Sequence, residues 1–162
     1  MASTAESAAV PENDAARESI HVRSTRFGTF DVPSHRVLEF PAGLIGFPRH
    51  RRYVILDHRP GSPFKWLLSI DDPELAFAVA HPGELVAGYE APVEHASKAL
   101  GVESPDLALF AIVTIPPDPR LMTINLMAPV VVDVRTRLAR QIVLEDARFS
   151  TAHRVVPEAP AG

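Results

Sequence analysis

From residue 20 onward the chain alternates short apolar, β-rich runs with turn signals. The runs at 21–30 and 32–40 flank a turn expected at 31–34. Those at 53–57, 64–70 and 75–80 are divided by HRPGSP and DDP, which are turn sequences. The run 107–115 is almost unbroken in apolar and β-branched residues and reads as a strand buried on both faces, ended by PPDP. Runs at 121–126, 130–134 and 140–144 complete a set of about nine strands. In NLMAPVVVD, the even spacing of Leu126, Val130 and Val132 places them on one side of a strand, with Pro129 at an edge or bulge. One helix is predicted over 92–100, with a proline near its start, Gly101 at its stop and an apolar face of Val93, Ala96, Ala99 and Leu100. The predicted fold is therefore mainly all-β, a small antiparallel β-barrel-like domain with one or two short helices, because closure removes the edges that such strands would expose.

Residues 41–48 (PAGLIGFP) read as an ordered loop. Gly43 and Gly46 give backbone freedom, Pro48 stops ladder pairing, and Leu44, Ile45 and Phe47 are exposed or half-buried. Leu44 and Phe47 are expected to plug the barrel, the alternative being a contact patch for a partner. Residues 1–19 are small, polar and without periodicity, and cannot bury enough apolar surface to offset their ordering entropy. The expected organisation is a disordered tail over 1–19, one domain over 20–154 and a loose tail over 155–162.

Composition narrows the function. There is no cysteine, which excludes a thiolate nucleophile, a disulfide framework and a cysteine-bound zinc. The sixteen prolines and eight glycines leave few windows long enough for a helix. The least polar stretch, 121–132, falls short of the ~20 apolar residues of a membrane helix. The first residues lack the basic start and apolar block of a secretory signal, so a cytoplasmic location is expected.

No HxxxH or HExxH spacing occurs among the seven histidines, and no GxSxG, GxxxxGK[ST] or GxGxxG is present. Catalytic, cofactor and metal residues are accordingly expected to be absent. The Arg49, Arg51 and Arg52 cluster could touch phosphate, but a net charge of −4 and a pI of about 5.9 oppose direct nucleic-acid binding. These arginines read instead as a solvated strand edge.

Charge is unevenly distributed. Residues 71–118 hold nine acids and one base, a net of −8, whereas 21–70 carry a net of +5. The acidic block is either a solvated face or a docking surface for a basic partner. Asp71, Asp72 and Glu74, in DDPEL, are turn chemistry on one reading and acid–base or metal groups on another.

Four segments, FPAGLIGFP (40–48), LAFAVAHP (75–82), TINLMAPVVVD (123–133) and RQIVLED (140–146), stand in an order and spacing that resemble the FliW family over roughly residues 21–153. Leu68, where glutamine is frequent, and Ala152, where arginine is common, depart from that pattern. The resemblance implies a non-enzymatic flagellar assembly factor. It would bind flagellin in the cytoplasm and, when free of it, bind the RNA-binding regulator CsrA and relieve its repression of flagellin mRNA. The alternative from another class is a small β-barrel ligand-binding protein or hydrolase, marked by a cavity with convergent polar groups. On the family reading, the acidic block would meet CsrA and repel RNA phosphate. The contact residues expected are Asp71, Asp72, Glu74, Pro116, Pro117 and Asp118, with Leu44 and Phe47 as further candidates. A monomer is expected when no partner is bound.

Overall fold

The computed structural model describes residues 18–86, 89, 98, 100, 101 and 106–155. It opens with a hairpin, β1 (Ser19–Ser24) against β2 (Gly28–Pro33). The turn lies at 25–27 and not at 31–34. The Ser24 hydroxyl accepts the N–H groups of Arg26 and Phe27 at 3.2 and 3.1 Å, and Gly28 adopts φ +81°. Asp31 and Pro33, which imitate a turn in the sequence, are strand residues, and Asp31 faces His21 across the ladder at 2.8 Å.

The chain continues through a 3-10 turn (Ser34–Arg36), β3 (Leu38–Glu39), β4 (Arg52–Asp57), β5 (Phe64–Ser69), β6 (Ala76–Ala80) and a one-turn helix, α1 (Pro82–Leu85). It then forms β7 (Leu107–Thr114), a second 3-10 turn (Pro119–Leu121), β8 (Thr123–Ile124), β9 (Val130–Asp133), β10 (Ala139–Gln141) and β11 (His153–Arg154). Of the helix expected over 92–100, Lys98 and Leu100 are described and helical; the rest lies outside the described residues, as do 1–17 and 156–162 of the expected tails.

These strands form a sheet in the order β10-β9-β7-β6-β5-β4-β3, every neighbouring pair antiparallel, with β8 on the end of β7 and β11 on β8. Its two ends meet at one bridge between Glu39 and Leu138, where the Glu39 N–H donates to the Arg137 carbonyl at 2.9 Å. The sheet is thus barrel-like, curled until its ends touch but not closed by a ladder. Arg52 belongs to a strand paired on both sides, so the arginine cluster is not the sheet edge expected of it.

Strand alternation sends one set of side chains to the interior and the next outward. Leu38, Phe40, Tyr53, Leu67, Val79, Phe110, Val130 and Val132 fill the inside. The outer face is also apolar and carries two covers. Val22 and Val32 of the hairpin lie on Val54 and Leu68, while Leu126, Phe149 and Val155 pack in one cluster with Ala78, Ala80, Ala111, Val113 and Ile124, the β8 neighbour of Val113. This double burial explains the nearly continuous apolar run of β7. Val130 and Val132 do share a side, but Leu126 precedes the strand and packs in the outer cluster. The chain breaks there because the Asn125 side chain accepts the N–H groups of Met127 and Ala128, both at 3.0 Å.

Candidate partner-binding surface

After β5 the chain reverses through 70–75, and its own side chains build the turn. The buried Ser69 hydroxyl accepts the N–H groups of Asp71 and Asp72 at 3.1 and 3.0 Å, and Asp72 Oδ1 accepts the N–H of Glu74 at 2.9 Å. Asp71 turns back on the preceding loop. Its Oδ2 accepts the N–H groups of Arg51 and Arg52 at 3.0 and 3.1 Å, and its Oδ1 accepts the Arg52 guanidinium at 3.1 and 3.3 Å. Burial alone would raise the Asp71 pKa, but these donors outweigh it and hold the carboxyl below the usual carboxylate range. Asp72 Oδ2 lies 3.5 Å from His50 Nε2. Glu74 is exposed and has no ion partner among the described residues.

The antiparallel register of β6 and β7 pairs Ala78 with Val113, so the chain leaving β7 runs beside the start of β6. The turn after β7 therefore stands at the same end of the sheet as 70–75. Pro117 is exposed there and Pro116 half-buried. Asp118 caps the following 3-10 turn by accepting the Arg120 N–H at 3.0 Å and holds the same residue's guanidinium at 3.0 and 3.1 Å. These bonds, the guanidinium first, lower the Asp118 pKa.

The sequence count overstates the acidity available at this end. Asp71 and Asp118 are paired with Arg52 and Arg120, and Asp106, which precedes β7 at the opposite end of the sheet, with Arg135. Glu84 is exposed and without an ion partner among the described residues, but it sits in α1, at the far end of β6. Glu90, Glu94 and Glu103 lie outside the described residues.

Leu44 and Phe47 stand apart from the acidic turns in character. Leu44 is 2% exposed, and both side chains pack on the interior cluster. The loop is drawn tight by an N–H donated from Phe47 to the Leu44 carbonyl at 2.8 Å and by the Ile45 N–H, which donates to Gln141 Oε1 at 2.9 Å. Gly43 has φ +69°, and a Cβ there would stand 2.4 Å from the Phe47 carbonyl oxygen, so only glycine fits. The exposed apolar side chain of this loop is Ile45. Leu68 is buried beneath the hairpin, whereas Ala152 is exposed beyond the second cover.

Sequence reasoning missed an outer-face groove of about 510 Å³, lined by residues 58–66 with Ala78, Ile115 and Met122. It lies between the hairpin and the C-terminal cover. The signals available were the single tryptophan, Trp66, alternating with Phe64 along β5, and an isolated Ile115 before the two prolines. Among the described residues, no three His, Cys, Asp or Glu side chains converge as a metal site would require. No helix among them is long and apolar enough to cross a membrane.

Comparison with known proteins identifies the family and the fold. Residues 21–155 match the family model described as FliW protein. A protein of Heliobacterium modesticaldum named flagellar assembly factor FliW is 35% identical over 140 residues, covering 85% of this chain and 92% of its own. One of the same name from Bdellovibrio bacteriovorus is 42% identical over 127 residues, covering 77% of this chain and 73% of its own. The crystal structure of a flagellar assembly factor FliW superposes with a TM-score of 0.77 at 27% identity, covering 86% of this chain and 99% of that one. With sequence, fold and length in agreement, this chain belongs to the FliW family of flagellar assembly factors.

Proposed function

We propose that the chain acts in the cytoplasm by binding proteins and catalyses no reaction. It holds flagellin and, when flagellin is scarce, it binds the translational regulator CsrA and lifts the repression of flagellin mRNA. The observation that carries this reading is the family match across residues 21–155, whose members are named for flagellar assembly.

The acidic end of the sheet is the proposed CsrA contact. Glu74 supplies the freest charge, Asp72 and Asp118 supply partly screened ones, and Pro116 and Pro117 provide a stiff apolar edge beside them. Asp71 shapes the turn more than it presents charge, since four hydrogen bonds spend its carboxylate internally. Leu44 and Phe47 support the loop from inside.

The test uses purified chain, flagellin and CsrA in size-exclusion chromatography. The chain should co-elute with each partner separately, and excess flagellin should release CsrA. Failure to bind either protein, or a stable complex of all three, would defeat the proposal.

A further inference from the structure

Two covers on the outer face leave a strip of the sheet open between them, and that strip is the groove described above. Its floor is Phe64, Trp66 and Ala78, where the small alanine side chain keeps the surface low; Ile115, 47% exposed, and Met122 form its far wall. Phe27, 39% exposed, leans on Trp66 from the hairpin side with ring centroids 5.4 Å apart. An open apolar strip of this size on a small domain marks an interaction site.

The rim is cationic. The Arg26 guanidinium lies over the Trp66 ring, 4.8 Å from its centroid, and His58 stands 6.4 Å from the same ring. Arg59 is exposed beside it. Neither Arg26 nor Arg59 has a carboxylate partner among the described residues. Asp57, the nearest acid along the chain, is engaged by Lys65 Nζ at 2.7 Å and leaves the rim positive. On the hairpin side the rim adjoins the acidic turn, for Arg26 also lines a hollow with Pro73 and Glu74 and the Thr25 N–H donates to the Pro73 carbonyl at 2.8 Å; Arg59 lies on the loop before β5, at the other end of that strand.

We infer that this groove is a second docking site, taking an amphipathic protein segment that sets an apolar side chain against Trp66 and Ile115 and places carboxylates beside Arg26 and Arg59. The inference deepens the protein-binding reading and rests on it, because it assigns an acidic partner segment to the groove that adjoins the acidic turns. A segment flanked by lysines would meet the same floor but an unfavourable rim.

Trp66 is the chain's only tryptophan and part of the groove floor, so its fluorescence reports on binding there. The full chain is titrated with two synthetic helical peptides of identical leucine spacing, one flanked by glutamates and the other by lysines. The glutamate peptide should shift Trp66 emission saturably and bind several-fold more tightly than the lysine peptide. Ile115→Glu, a change at an exposed position, should raise its Kd about tenfold or more, as loss of an anchor does in a small interface. Arg59→Glu should abolish the preference for glutamate. Equal binding of both peptides, no response to either, or a response untouched by both substitutions would overturn the inference. Capture of flagellin and CsrA is followed in parallel. If the peptides fail while both proteins still bind, the groove is dismissed and the protein-binding reading stands. If the glutamate peptide binds as expected but neither protein is captured, the partner assignment is what fails.

Discussion

Asp71 illustrates how one carboxylate can be spent on architecture. It accepts two backbone N–H groups and one guanidinium, tying the loop before β4 to the turn after β5. Asp71→Ala orphans those N–H groups and is expected to lower stability by about 1–3 kcal/mol, with Asp71→Asn losing less because an amide oxygen still accepts; urea unfolding of both variants checks this. Since the Asp71 pKa is lowered on folding, its contribution is present above the ordinary carboxylate range and is lost as pH falls from that range through the lowered value of the folded state. The tyrosines give the opposite sign. Tyr53, whose hydroxyl has no hydrogen-bond partner among the described residues, is pushed up to about 12, first by burial and then by Asp71 and Asp72; burial also raises Tyr89. A proton held more tightly in the folded state stabilises the fold below about pH 10 and ceases to do so as pH rises toward about 12. At a pH of about 10.5 the folded chain should show clearly less tyrosinate absorbance than the urea-unfolded chain, with Tyr53 still protonated. Half-titration of the folded chain near pH 10 would contradict the burial of these rings.

At the level of elements, β9 is the most constrained strand, with every residue buried. Val130→Asp places a charge without a partner among Phe40, Leu67 and Phe110, and should leave the chain unfolded or insoluble by circular dichroism and solubility. A folded, soluble Val130→Asp protein would show that this segment is a surface. Most strands were legible because short apolar, β-rich runs are bounded by turn residues along β4 to β7. The first turn was not, because its determinants are a serine hydroxyl and a left-handed glycine in a stretch that otherwise reads as strand, while Asp31 and Pro33 offer a false turn nearby. β11 was hidden for another reason: His153 and Arg154 are exposed and carry no apolar pattern, and only pairing with β8 makes them a strand. The pairing of Asp71 spans about twenty residues of sequence, and the groove joins residues 58–66 with the distant Ala78, Ile115 and Met122, so neither leaves a local signature.

Taken whole, the molecule presents adjoining surfaces of different character: exposed Glu74 with the turn acids at one end of the sheet, and an apolar strip on its outer face with Arg26, next to Glu74, on one side and Arg59 on the loop before β5. Charge complementarity acts chiefly on encounter rate and specificity, so CsrA association at the acidic end should slow as salt rises. The variant Asp72→Asn, Glu74→Gln, Asp118→Asn removes charge while keeping oxygens that accept the turn N–H groups, and should slow association at low salt without changing the unfolding midpoint. An unchanged rate at two ionic strengths would return these acids to a solvated face. The central claim, a partner switch that controls CsrA, is tested most directly by the electrophoretic mobility of CsrA bound to flagellin leader RNA. Adding the chain should release the RNA, and adding flagellin should restore the CsrA–RNA complex. RNA that stays bound to CsrA at saturating chain, or release that flagellin cannot reverse, would contradict the account.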